Sequence, residues 1–222
     1  MKLVFFGSPE FAVPSLIKLH KSDHVIEAIV TNKNKYAGSN LKNNQSSVKI
    51  IAKTLNYLLL EPIDLSDKEF LSLIKKINAD LYVVVAFKIL PKSLLNIPSK
   101  GGVNLHASLL PRYRGAAPVN HCILNGEIDT GVSTIQMQRN IDTGDILMQQ
   151  QYKLNDSINT GEVLKDLSYI GADLLLNTIN SIEKNKITPK KQDERLITYA
   201  PKINASDCKI NWNNPAYQIH NQ

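Results

Sequence analysis

Cysteine is almost absent from this chain of 222 residues, which holds only Cys122 and Cys208. Two cysteines cannot build a disulfide framework, and no C-x-x-C occurs. The five histidines, at 20, 24, 106, 121 and 220, raise no expectation of a metal site. Long apolar runs are missing too. Met1 to Phe6 is apolar, but Gly7, Ser8, Pro9 and Glu10 end the run. It is too short for a signal-peptide core or a membrane span, so a cytoplasmic protein without a membrane partner is expected. Low-complexity sequence is limited to an Asn/Lys-rich loop at 32–45, and no internal repeat is present. The charge lacks balance: 26 basic against 20 acidic residues give +6. The lysines are spread out with no arginine-rich block, so this excess permits a nucleic-acid partner without demanding one.

What is present is a strict alternation. "KLVFF" (2–6) reads as a buried strand, followed by a helical pattern from Phe11 to Leu19. "HVIEAIV" (24–30), "YLLLE" (57–61) and "DLYVVVAF" (80–87) read as further strands. The last is apolar throughout, the pattern of a strand covered on both faces. Helices are expected at 46–56 and at 65–78, the second opened by a Ser66–Glu69 capping box. "GVNLHA" (102–107) is a strand and about 117–125 a helix. Two half-exposed strands, 130–137 and 145–154, are expected to pair with each other, and a long helix runs from about Thr160 to Glu183. The fold class is therefore α/β: a Rossmann-like, mostly parallel sheet with helices on both faces. After Lys184 the stretch 184–203 is polar, charged and proline-marked, which reads as a linker, and 207–222 reads as the start of a new unit.

One stretch stands out. In "GGVNLHASLLPRYRGAAP" (101–118), Asn104 and His106 share one face of a strand, near the end where ligands bind in such sheets. Buried polar groups are costly unless each has a partner. "NIDTGDIL" (140–147) offers two carboxylates and a tight turn, and either carboxylate could meet the imidazole. An Asn, a His and an Asp together form a coherent acyl-transfer set. The amide donates to a carbonyl oxygen as charge develops, the His moves a proton, and the Asp orients the ring. No G-x-S-x-G elbow supplies a nucleophile, so a substrate amine is the natural one. "GSPEF" (7–11) lacks the later glycines of G-x-G-x-x-G, which discounts nucleotide binding.

"NLHASLLPRYRGAAP" (104–118) and "IDTGDIL" (141–147) resemble the signature of formyltransferases that use 10-formyltetrahydrofolate. "VFFGSPEFAVPSL" (4–16), "AGSNLKNNQSSVK" (37–49), "VVVAFKILP" (83–91) and "TYAPKI" (198–203) resemble the branch of that family acting on methionyl-tRNA. The resemblance implies Asn104, His106 and Asp142 as catalytic residues, Ser108, Leu109, Leu110 and Pro111 against the folate, and no metal. It implies transfer of a formyl group to the α-amine of initiator methionyl-tRNA by a monomeric enzyme. Lys33, Lys35 and Lys42 would attract tRNA phosphates, because Ser39 and Asn40 stand where the family has arginine and glycine. The implied organisation is a catalytic domain at 1–189, a linker at 190–206, and at 207–222 the beginning of a truncated, β-rich, OB-like domain. The alternatives are a formyltransferase for the amine of a sugar nucleotide, or a degenerate folate- or RNA-binding module.

Overall fold

The computed structural model describes residues 1–33, 45–155 and 157–222. Seven strands form one sheet: β1 (Lys2–Gly7), β2 (Val25–Val30), β3 (Leu59–Leu60), β4 (Leu81–Val85), β5 (Gly102–His106), β6 (Asp129–Gln136) and β7 (Ile146–Lys153). Their order across the sheet is β3-β2-β1-β4-β5-β6-β7. The pairs from β3 to β5 are parallel, whereas β5–β6 and β6–β7 are antiparallel. The helices are α1 (Val13–His20), α2 (Ser47–Thr54), α3 (Lys68–Ile77), α4 (Lys92–Leu95), α5 (Pro118–Leu124), α6 (Thr160–Glu183) and α7 (Ala216–His220).

Strand alternation sorts the core into two layers. Leu3, Phe5, Leu81, Val83, Val103 and Leu105 point to one face, where residues of α1, α2 and α6 pack. Val4, Phe6, Tyr82 and Val84 point to the other, where α3 and α4 pack. The long helix α6 presses closely on the first face: a Cβ on Gly171 would stand 2.8 Å from the Leu105 side chain. Asn104 and His106 alternate with Val103 and Leu105, so they belong to the second face. The registers Val84↔Asn104 and Asn104↔Ile135 set Asn104 between β4 and β6, near the carboxyl end of β5.

Two local expectations change. The helix expected at 65–78 starts at Lys68, and its N-cap is Asp67, whose carboxylate accepts from the Phe70 amide at 2.9 Å. A carboxylate serves there because it both fills an orphan amide and faces the positive end of the helix dipole. The strand expected at 57–61 pairs only over Leu59–Leu60, at the sheet edge, where one neighbour supplies hydrogen bonds.

Cys122 is 1% exposed, and burial pushes its thiol up to about 11. Cys208 is exposed. A disulfide-exchange reagent at pH 8 should therefore label Cys208 in the folded protein and reach Cys122 only after denaturation. Two rapidly reacting thiols in the native state would contradict this packing of α5.

Candidate functional site

The site is assembled where β5 ends. His106 is 6% exposed, and its Nε2 lies 2.9 Å from the Tyr113 carbonyl oxygen. A carbonyl only accepts, so in the neutral ring the proton sits on Nε2. Nδ1 is then the nitrogen that can gain a proton, and it lies 3.5 Å from Asp142 Oδ2. That distance is long for a hydrogen bond and suits an ion pair with a protonated ring. A backbone carbonyl thus holds Nε2, and the carboxylate stands beside the ring's other nitrogen.

Asp142 is 9% exposed and makes three further contacts. Its Oδ1 accepts from Asn104 Nδ2 at 3.4 Å, its Oδ2 accepts from the Gly115 amide at 2.9 Å, and its carbonyl accepts from Gln192 Nε2 at 2.8 Å. Of the two carboxylates in 140–147, Asp142 is the one the structure sets against His106. Both residues that hold the imidazole have left-handed backbone: Tyr113 at φ 61° and Asp142 at φ 53°. Such conformations are uncommon outside glycine and persist where the surroundings enforce them. Around Tyr113 the enforcement is visible. Its hydroxyl donates to Glu127, its amide donates to Thr198 Oγ1 at 2.8 Å, and burial together with Glu127 pushes the phenol pKa up.

Ser108 is fully buried, and its hydroxyl donates to the Arg112 carbonyl at 2.7 Å. It is therefore not a nucleophile paired with His106. Leu110 packs with Ile135 and Ile146, its amide donates to Ser133 Oγ at 3.1 Å, and its carbonyl accepts from Gln149 Nε2 at 2.9 Å. Leu109 packs over Gly131. None of Ser108, Leu109, Leu110 and Pro111 lines the cavity that opens beside Asn104.

That cavity lies between the segment after β4 and the β6–β7 connection. Ala86, at φ 48°, turns the chain out of β4 so that Phe87, Ile89 and Leu90 form one wall. Met137, Arg139 and Ile141 form the other, with Asn104 and Asp142 at the end. The walls are apolar, while Lys88 and Arg139 are exposed cations at the rim. Among the described residues no group of His, Cys, Asp and Glu is arranged to hold a metal ion. Lys33 is exposed after β2, whereas Lys35, Lys42, Ser39 and Asn40 lie outside the described residues.

Sequence reasoning missed the Tyr113 carbonyl, the Gly115 amide and Gln192. The stretch 184–203, read as a linker, is tied to the end of the sheet. Lys190 pairs with Ile146 in both directions at 2.8 Å, Arg114 bridges Tyr199 by donating its amide to the Thr198 carbonyl at 2.9 Å and accepting from the Ala200 amide at 2.7 Å, and the Ala200 side chain is fully buried beside Tyr113 and Cys122.

The mostly parallel sheet carries the Asn104, His106 and Asp142 cluster and a cavity near the carboxyl ends of its parallel strands, and residues 1–179 match the family model described as Formyl transferase. The chain is 43% identical over 220 residues to the methionyl-tRNA formyltransferase of Thermodesulfovibrio yellowstonii, covering 99% of this chain and 71% of that protein. It is 41% identical over 223 residues to the methionyl-tRNA formyltransferase of Moorella thermoacetica, covering 100% of this chain and 72% of that protein. The N-formyltransferase of Helicobacter canadensis, solved with folinic acid and dTDP-3-aminofucose, shares the fold with a TM-score of 0.73 at 23% identity, over 100% of this chain and 78% of that one. The chain belongs to the methionyl-tRNA formyltransferase family.

Proposed function

We infer that this chain transfers a formyl group from 10-formyltetrahydrofolate to the α-amine of methionyl-tRNA, the step that formylates initiator tRNA for translation. Family membership supports the reaction. The observation that carries the chemistry is that Asn104, His106 and Asp142 meet beside a cavity with no side-chain nucleophile on His106.

The residues fit the two substrates. A folate has a flat, largely apolar body and an acidic tail. Phe87, Ile89, Leu90, Met137 and Ile141 would hold the body, and Lys88 and Arg139 would attract the tail. Bound there, 10-formyltetrahydrofolate supplies an activated formyl group. The Asn104 amide is placed to donate to the formyl oxygen as negative charge builds on it. An α-amine has an ordinary pKa of about 7.7–8.0, so a usable fraction is neutral near pH 7. His106 takes the amine proton at Nδ1, where Asp142 stabilises the resulting cation, and then has a proton to return to the leaving nitrogen. Exposed lysines such as Lys33 would meet the tRNA backbone. The reading includes a cytoplasmic, monomeric enzyme. Among the described residues no helix is long and apolar enough to cross a membrane.

Transfer of labelled formyl to methionyl-tRNA assays the activity, and one variant tests the folate cavity. Ile89 is 61% exposed on its wall. Ile89→Asp puts a carboxylate against the apolar body and the acidic tail, and should raise KM for 10-formyltetrahydrofolate about tenfold or more, with KM for methionyl-tRNA little changed. An unchanged folate KM would move the folate away from this cavity.

A further inference from the structure

Gln192 lies beyond the residues matched by the family model, in the polar stretch after α6. Its side-chain amide is fully used. Nε2 donates to the Asp142 carbonyl at 2.8 Å and to the Gly144 carbonyl at 2.7 Å. Oε1 accepts from Arg114 Nε at 3.1 Å and Nη2 at 2.7 Å. A single amide therefore joins the turn that carries Asp142 to the loop that carries Gly115, the backbone donor to the Asp142 carboxylate.

We propose that Gln192 is a positioning residue for formyl transfer: it clamps the 142–144 turn and so fixes the Asp142 carboxylate between Asn104 and His106. The proposal rests on the reading of those three residues as the transfer site. Two observations separate this role from simple anchoring of the segment. First, the segment has its own anchors on either side of Gln192. Lys190 pairs with Ile146 through two bonds of 2.8 Å, the Arg114 amide donates to the Thr198 carbonyl at 2.9 Å, and the Ala200 amide donates to the Arg114 carbonyl at 2.7 Å. Secondly, Asp142 reaches Asn104 at 3.4 Å and His106 at 3.5 Å, both at the limit of useful contact, and its backbone is left-handed. A small rotation of this turn would lose both contacts, and a misplacement of about 1 Å can cost about 10²-fold in rate.

The discriminating variant is Gln192→Glu. Glutamate keeps and strengthens the bond to Arg114, so a segment anchor survives it. It also sets a carboxylate oxygen against two carbonyl oxygens, so a clamp on the turn does not survive. Glu and Ala variants should both lower kcat about tenfold or more while each KM stays within about twofold, because Gln192 itself does not line the cavity. Amide hydrogen exchange, followed by NMR, gives a reading independent of turnover. Gly115 should exchange about tenfold faster in Gln192→Glu, and Ala200 should keep its protection. Unchanged kcat and unchanged Gly115 exchange in Gln192→Glu would overturn the proposal. So would parallel loss of protection at Gly115 and Ala200, which would make Gln192 a segment anchor only. If the native chain failed to formylate methionyl-tRNA while Gly115 alone lost protection in the variant, the functional reading would fall and the clamp on Asp142 would stand.

Discussion

Asn104→Ala and His106→Ala should each lower kcat for formyl transfer by about 10²- to 10³-fold and leave the affinity for tetrahydrofolate nearly intact. Asn104 lines the cavity beside Asp142, with its side-chain amide donating to Asp142 Oδ1 at 3.4 Å. Removing it takes away a donor proposed to act where charge develops. His106 is 6% exposed, with Nε2 held by the Tyr113 carbonyl and Nδ1 facing Asp142. Removing it takes away the proposed proton acceptor and leaves the Asp142 carboxylate with only the Asn104 and Gly115 donors. Alanine at 104 should disturb the fold less, because Asn104 is half-buried and its contact to Asp142 is long. Steady-state kinetics with calorimetric titration of tetrahydrofolate would separate the two effects. Full turnover in either variant would place the chemistry elsewhere.

Gly144→Ala is expected to be the most damaging alanine substitution among the described glycines. A Cβ there would stand 1.6 Å from the Gln136 carbonyl oxygen, a backbone atom of β6 that cannot swing away. Room could come only from separating the two strands next to the hydrogen bond that the Gln136 amide donates to the Asp145 carbonyl at 2.9 Å. Overpacking of this kind costs about 3 kcal/mol. For a chain of this size that is about 6–12 °C in Tm. The same displacement breaks the Gln192 bond to Gly144 and moves Asp142, so activity should fall even in the fraction that remains folded. Thermal unfolding and single-turnover kinetics on the variant would check both, and an unaltered Tm would mean that the β6–β7 connection is looser than its contacts imply.

The architecture was legible because buried strands and amphipathic helices leave periodic traces. The apolar run in 80–87 announced a strand covered on both faces, and β4 is that strand, with Leu81 and Val83 in one layer and Tyr82 and Val84 in the other. Asn104 and His106 were legible for the opposite reason, as polar residues on an otherwise apolar strand. From the residues alone Asp142 is one of two carboxylates beside a turn; the resemblance singles it out, and the structure sets it 3.5 Å from the imidazole. The Tyr113 carbonyl and the Gly115 amide carry no side-chain signature at all, so no pattern could mark them. Gln192 was hidden differently. Its neighbourhood is polar and proline-marked, which reports the lack of an apolar stripe, and hydrogen bonds need no such stripe to dock a segment. The cavity wall shows a related limit: Phe87 to Leu90 stood inside a recognised stretch, but only the turn at Ala86 shows that they line one cavity with Asn104.

The proposed role of the Asn104–His106–Asp142 cluster is delivery of a formyl group to the amine of methionyl-tRNA. The most direct measurement is the rate of label transfer from 10-formyltetrahydrofolate by the purified chain, with methionyl-tRNA and an amino-sugar nucleotide offered in the same reaction. The account predicts labelled methionyl-tRNA, abolished by His106→Ala, and negligible label on the sugar. Label on the sugar alone would contradict it.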